Sequence, residues 1–168
     1  MAEALTDDFS TRLVEHCPDA IVYADAGGTI RYWNDAATRI FGHQAEAAIG
    51  ARLDLIIPER LREAHWRGFN AAIKRGATTG GRRARLTRGT HRDPDRALYV
   101  EMSFAVVTGA HGSVFGAVAV ARDVTEAHLK ERAERKRQFA EKAYPRTRVP
   151  RVRAYTLLAG PLLACRGT

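Results

Sequence analysis

Cysteine is scarce in this sequence: only Cys17 and Cys165 are present, and they lie far apart. Neither belongs to a CxxC pair or a cysteine–histidine spacing, so the sequence predicts neither a disulfide framework nor a zinc site. Long apolar runs are also missing. The run TLLAGPLLA is interrupted by Pro161 and falls short of the roughly 20 residues that cross a bilayer. The acidic start MAEALTDDF is unlike a secretory signal. We therefore expect a cytoplasmic protein without a membrane partner.

Catalytic motifs are absent as well. The sequence has no nucleophile elbow, no phosphate-binding loop and no pair of carboxylates at positions expected to line a pocket. We therefore expect that the protein is not an enzyme and that its function is binding or association.

Acidic residues are outnumbered: 27 lysines and arginines face 19 aspartates and glutamates, which gives a net charge of +8. Much of the excess follows Ala143, because residues 144–168 contain no acid and carry five arginines, Arg146, Arg148, Arg151, Arg153 and Arg166. A basic segment attracts nucleic-acid phosphates, but no known DNA-binding pattern accompanies this one. We expect a disordered tail over 144–168 with at most nonspecific binding, and no direct nucleic-acid partner.

What is present is a succession of short strands and helices. A helical pattern in residues 1–16 predicts a flanking helix. The β-rich runs on either side of the glycine pair at 27–28 predict a hairpin. Asn34 or Asp35 is a suitable cap for the short helix that follows, and Gly42 ends it.

A longer helix is predicted between Pro58, a favourable first helical residue, and Gly76, just past its end. Alternating apolar and polar residues then predict strands at RRARLTRG, ALYVEMSFAVV and VFGAVAVARDVTE. One face of the middle strand is apolar and should face the core: Leu98, Val100, Met102, Phe104 and Val106.

The segment EAHLKERAERKRQFAEKA, which follows Thr125, predicts an exit helix because it is rich in helix formers and opposite charges at helical spacing. Its thin apolar seam fits a solvated helix or half of a weak helical dimer: Leu129, Ala133, Phe139 and Ala140. The order of elements predicts an α+β fold, an antiparallel sheet covered by helices on one side.

Three ordered motifs resemble the PAS sensory domains of bacterial signalling proteins. They are DAIVYADAGGTIRYWNDAATRIFG, IGARLDLIIPERLREAH and VFGAVAVARDVTE. The resemblance covers about Cys17 to Glu126 and implies a single PAS domain, whose five-stranded antiparallel sheet and short helices enclose a small-molecule pocket. We accordingly divide the chain into a flanking helix (1–16), a PAS domain (17–126), an exit helix (127–143) and a tail (144–168).

His65 is the principal candidate site residue. On the long helix Leu61, His65, Phe69 and Ile73 step by four, so His65 shares the apolar stripe and should point inward. One interpretation is a core histidine with one nitrogen bonded to a backbone carbonyl. The resemblance offers another, since heme-binding PAS domains of oxygen-sensing histidine kinases carry their iron-ligating histidine on this helix. It implies His65 as an axial ligand of heme iron, with Phe69 beside it.

The same resemblance implies roles for residues on the strands. It places Arg85 where an arginine hydrogen-bonds bound gas, and Met102 and Phe104 on the far side of the heme. From the residues alone, Met102 is either a core residue or a second axial ligand, and Arg85 on an alternating strand is more often solvent-facing. Neutral imidazole is a good iron ligand. A different apolar or aromatic ligand, or none, is the alternative to heme.

The leading functional hypothesis is a sensory module in signal transduction or transcription regulation. Its ligand, with heme sensing O2, CO or redox state as the first candidate, would alter the sheet and the exit helix, and so reach an output domain or partner protein. We expect a homodimer. The alternative is a ligand-free PAS module that dimerises through its flanking helices.

Overall fold

A computed structural model describes residues 7–79 and 83–143. The predicted basic tail, 144–168, lies outside these described residues. One compact unit ends at Arg132, and a second unit begins at Ala133. Within the described ranges, none of the helices combines the length and apolar character that a membrane span requires.

The elements follow the order that the sequence predicts. The helices are α1 (Asp7–Glu15), α2 (Asp35–Phe41), α3 (Ala45–Ala48), α4 (Glu59–Arg75) and α5 (Thr125–Ala143). The strands are β1 (Ala20–Asp25), β2 (Ile30–Trp33), β3 (Arg85–Gly89), β4 (Leu98–Thr108) and β5 (Val114–Asp123). Short 3-10 turns lie at Leu53–Leu55 and Ala110–Gly112.

The strands form one antiparallel sheet in the order β2-β1-β5-β4-β3. Helices α2, α3 and α4 contact its strands β1, β2 and β5. This architecture confirms the predicted α+β fold with a five-stranded antiparallel sheet, short covering helices and a C-terminal helix.

Cross-strand register determines which side chains share the inner face of the sheet. Opposed residues of an antiparallel pair point to the same face, and Met102 on β4 lies opposite Ala121 on β5, which lies opposite Ala20 on β1. All three are buried. The inner face of β4 is therefore the one predicted, although its burial fades toward Phe104, which is 40% exposed.

The hairpin turn between β1 and β2 depends on Gly28. Its φ of +81° is in the left-handed region that favours glycine. The Asp25 carboxylate accepts hydrogen bonds from the Thr29 and Gly27 N–H groups and from Arg31, and these bonds lower the pKa of Asp25. The predicted glycine turn is confirmed.

Asn34 connects three segments through its side-chain amide and is 1% exposed. Its Oδ1 accepts hydrogen bonds of 2.9 Å from the N–H of Ile21 on β1 and from that of Ala37 on α2. Its Nδ2 donates to the carbonyls of Val14 at the end of α1 and of Asp19 before β1. Asn34 therefore caps the N-terminus of α2 and holds β1 next to this helix.

Helix ends agree with the sequence pattern to within one residue. Gly42 and Gly76 end α2 and α4 with φ values of +78° and +71°, as predicted for glycine caps. Pro58, however, is the N-cap of α4 rather than its first helical residue, because its ψ of 135° is extended. Both positions tolerate proline since neither needs an intrahelical N–H bond.

We expect Asn34→Ala to destabilise the fold by about 2–4 kcal/mol, because it removes a helix cap and leaves the partly buried Ile21 N–H without a partner. Urea unfolding followed by tryptophan fluorescence measures this loss. Asp35→Ala, one residue along, is the matched control and should cost no more than about 1 kcal/mol, since Asp35 is exposed. Equal losses in the two variants would contradict this role of Asn34.

Candidate ligand-binding cavity

A cavity of about 120 Å³ lies between α4 and the inner face of the sheet. Its walls are mostly apolar and come from the segment before α4, from α4 and from four strands: Val22, Leu53, Ile56, Ile57, Pro58, Leu61, His65, Phe69, Thr87, Arg88, Gly89, Val100, Met102, Phe104, Ala117, Val118 and Ala119. An apolar cavity with few polar groups is the usual form of a small-molecule site.

Helix α4 brings Leu61, His65 and Phe69 to the cavity because they lie four residues apart on one face. The rings of His65 and Phe69 are stacked, with centroids 6.0 Å apart. The predicted inward direction of the stripe is confirmed for these three residues. None of the residues of α4 is fully buried, so this helix covers the sheet without entering the core.

Trp66 attaches α4 to the rest of the domain. Its Nε1–H donates to the Asp54 carboxylate at 2.9 Å, and the Arg52 guanidinium lies 4.4 Å from the centroid of its ring. A Cβ at Gly28 would lie 2.3 Å from the ring, so the indole packs directly on the hairpin turn. Arg62, also on α4, donates to the carbonyls of Asp54 and Ile57.

His65 has no hydrogen-bond partner among the described residues, and its Nδ1 is buried. The interpretation of a core histidine bonded to a backbone carbonyl therefore finds no such bond. Burial lowers the pKa of His65, and the nearby Asp54 carboxylate offsets this only in part. A neutral imidazole is consequently the form that lines the cavity at neutral pH.

Four of the five predicted site residues meet at the cavity. His65 and Phe69 form one wall, and Met102 and Phe104 on β4 form part of the opposite wall. Met102 is buried, whereas Phe104 is partly exposed and so borders both the cavity and solvent.

Arg85, the fifth predicted site residue, does not line the cavity and is exposed. It lies opposite Met102 and so shares the inner face of the sheet. It is, however, the first residue of the edge strand β3, and the part of this strand that reaches the cavity is Thr87, Arg88 and Gly89.

Sequence reasoning missed these strand residues as well as Val100 as cavity residues. The apolar pattern of β4 places Val100 on the core face, and Thr87 lies directly opposite it in the sheet. Because opposed residues of paired strands share a face, the pairing of Thr87 with Val100 could have identified Thr87 as an inner-face residue. Nothing in the sequence indicates how far along β3 the cavity extends.

We expect the contribution of His65 to the free energy of unfolding to be greatest above about pH 6.5 and to be lost as the pH drops below it. The unfolded chain takes up a proton on His65 near its usual pKa of 6.5, whereas the folded protein resists this protonation. Between about pH 7.5 and 5.5 the free energy of unfolding should therefore fall less in His65→Leu than in wild type. Urea unfolding at each pH measures this difference.

A second histidine contributes with the same sign. Burial and the nearby Arg92 lower the pKa of His43. His43→Leu should therefore also reduce the loss of unfolding free energy at acidic pH, and the double variant should reduce this loss further. An identical fall in wild type and His65→Leu would contradict the expected burial of the His65 imidazole.

Comparison with known proteins identifies the fold. Residues 14–129 match the PAS fold family. The PAS domain of a Colwellia psychrerythraea protein is 23% identical with a TM-score of 0.62, over 71% of this chain and 97% of that one. The Vibrio cholerae VqmA dimer, a LuxR-type receptor in the absence of its target DNA, is 18% identical with a TM-score of 0.56, over 73% of this chain and 53% of that one. The chain thus spans about half of VqmA.

A light-oxygen-voltage domain studied with a flavin analogue is 14% identical with a TM-score of 0.56, over 80% of this chain and 98% of that one. Proteins with this fold therefore include a flavin-binding domain and a DNA-binding receptor. No curated protein matches the sequence. The match to the family covers more than half of the chain and confirms the resemblance drawn from its motifs: the protein belongs to the PAS fold family.

Proposed function

We propose that this chain is a sensory PAS domain in which a small organic molecule occupies the cavity and hydrogen-bonds to His65. The supporting observation is an apolar cavity whose wall contains one imidazole without a hydrogen-bond partner among the described residues. A buried polar atom without a partner is costly, and a ligand that pairs with the imidazole removes part of this cost. In this proposal the domain binds and signals and does not catalyse.

The volume of the cavity limits the size of the ligand. About 120 Å³ is close to the roughly 150 Å³ of a cavity that binds benzene. Drug-sized ligands occupy pockets of about 300–1,000 Å³. The ligand is therefore about one ring in size, apolar on most of its surface, with one hydroxyl or N–H group for His65.

Heme is the second candidate occupant, and the specific observation in its favour is the neutral, unpartnered imidazole of His65. The size of the cavity and the position of Arg85 do not fit heme. Heme and flavin both exceed one ring several-fold, so either would require α4 to move away from the sheet. Arg85, which the resemblance implies as a partner for bound gas, is outside the cavity.

The route from the cavity to α5 passes through β4. Tyr99 lies between the buried residues Leu98 and Val100, and Val100 lines the cavity. The Tyr99 N–H donates to Thr125 Oγ1, and the Tyr99 carbonyl accepts from the Thr125 hydroxyl and the Val124 N–H. A ligand that displaces β4 therefore acts directly on the first turn of α5. Such signalling requires a ligand that binds two states of the domain with different affinity.

We expect phenol to bind more tightly relative to toluene in wild type than in His65→Leu. The two compounds differ in one hydroxyl, so the ratio of their affinities isolates the hydrogen bond to His65. The preference for phenol over toluene should be about fivefold smaller in His65→Leu than in wild type, because a neutral hydrogen bond contributes about 1 kcal/mol. Ligand-observed NMR titration measures both dissociation constants.

Two further variants control this experiment. Ala119→Leu fills the cavity and should abolish binding of both compounds, whereas Arg85→Leu, outside the cavity, should leave both constants unchanged. Failure of either compound to bind wild type, or an unchanged ratio in His65→Leu, would contradict the proposal. A Soret absorption band after incubation with heme that collapses in His65→Leu would favour heme instead.

Association with a second copy is the second candidate function, and an exposed apolar pair on α1 favours it. Phe9 and Leu13 lie four residues apart and are 44% and 61% exposed. The same helix is attached to the sheet, because the Tyr32 hydroxyl donates to the Glu15 carboxylate at 2.7 Å. Burial and this carboxylate raise the pKa of Tyr32 to about 12.

We expect the chain to form a dimer that Leu13→Glu weakens at least about tenfold, because a carboxylate placed in an apolar contact must be desolvated. Sedimentation equilibrium measures the dimer constant. Arg12→Glu, the neighbouring change, should weaken it less. A dimer of undiminished stability in Leu13→Glu would show that α1 is not the contact.

A further inference from the structure

The edge strand β3 has an unusual charge distribution. It pairs with β4 on one side, and no other described segment pairs with its free side, apart from a bond between the Thr90 N–H and the Ile56 carbonyl beyond its end. Residues 83–89 contain three arginines and no acid. Arg83, Arg85 and Arg88 are exposed, and none forms an ion pair with a described carboxylate.

The arginines lie on both faces of the sheet. Arg85 is opposite Met102, on the inner face, while Arg88 is opposite Tyr99, on the outer face. Leu86, also on the outer face, is 49% exposed. A segment that pairs along the free side of β3 therefore meets positive charge on both faces and an apolar side chain between the charges.

We propose that β3 binds an extended acidic segment of a partner protein, which adds to the sheet as a sixth strand. Backbone hydrogen bonds supply affinity in such additions, and side chains supply specificity. Here glutamates or aspartates of the partner pair with the arginines. Charged residues on an edge strand normally prevent unwanted pairing, so these arginines reject neutral and basic strands and accept acidic ones.

Charge disfavours two occupants that this chain could itself provide. A second copy of β3 would place arginine against arginine. The segment 144–168 carries five arginines and no acid, so the edge repels it as well.

A single-stranded nucleic acid is disfavoured for a different reason. Such strands stack their bases on exposed aromatic rings. On the outer face, Tyr99 lies opposite Arg88 of β3, with the Arg88 guanidinium 5.7 Å from its ring centroid and the His128 ring at 4.3 Å. Both neighbours leave little of this ring for a base to stack on.

The experiment uses the full chain and a fluorescein-labelled peptide composed of glutamate and threonine, with a lysine–threonine peptide of the same length as control. Fluorescence anisotropy at low ionic strength measures binding. The triple variant Arg83→Glu/Arg85→Glu/Arg88→Glu should weaken binding of the acidic peptide about tenfold or more, as three exposed ion pairs imply. Arg39→Glu/Arg60→Glu/Lys74→Glu changes the net charge equally on α2 and α4 and should leave binding nearly unchanged.

Amide hydrogen exchange on wild type tests the site without any variant. The acidic peptide should protect amides of 85–89, because strand addition gives them new hydrogen-bond partners. No binding of the acidic peptide, equal loss of binding in both triple variants, or binding without protection of β3 would overturn the proposal. An oligothymidylate that displaces the peptide at equal concentration and protects the same amides would assign the edge to nucleic acid instead.

Discussion

The side-chain amide of Asn34 is the interaction on which the arrangement of the domain depends. It satisfies backbone groups of three separate segments at once, so the end of α1, the first strand and the start of α2 cannot shift independently. From this point α2 carries Phe41 into the core, where its ring packs 5.5 Å from that of Trp33. A buried amide with all of these partners contributes specificity as well as stability.

Helix α4 is attached in a different way. It places no fully buried residue in the core, and its attachments are the indole of Trp66, the carboxylate of Asp54 and the hydrogen bonds of Arg62. Elements with few buried contacts open at lower free energy than the core. The cavity therefore lies under the part of the domain that adjusts most readily to an occupant, whereas backbone pairing limits the sheet on its other side to smaller shifts.

Much of this fold could be predicted from local patterns because short-range chemistry determines it: an asparagine cap for α2, glycines with positive φ, and period-two alternation in β4. The inward direction of His65 followed from helical spacing for the same reason. The position of Arg85 relative to the cavity, the missing backbone partner of His65 and the cavity volume depend on how several elements pack together. Periodicity specifies a face and not a position along the strand, so it brings His65, Phe69, Met102 and Phe104 to the cavity but does not show that Arg85 lies outside it.

Gly28 and Trp66 are constrained as a pair. The backbone at Gly28 disfavours any side chain through its positive φ, and the indole occupies the space that a Cβ would need. A larger residue at position 28 would therefore strain the backbone and also clash with the indole. A smaller residue at position 66 would remove the clash but not the strain. In evolutionary terms the substitutions are epistatic, and a lineage that loses the indole first can then accept asparagine at the turn, since asparagine tolerates the left-handed conformation.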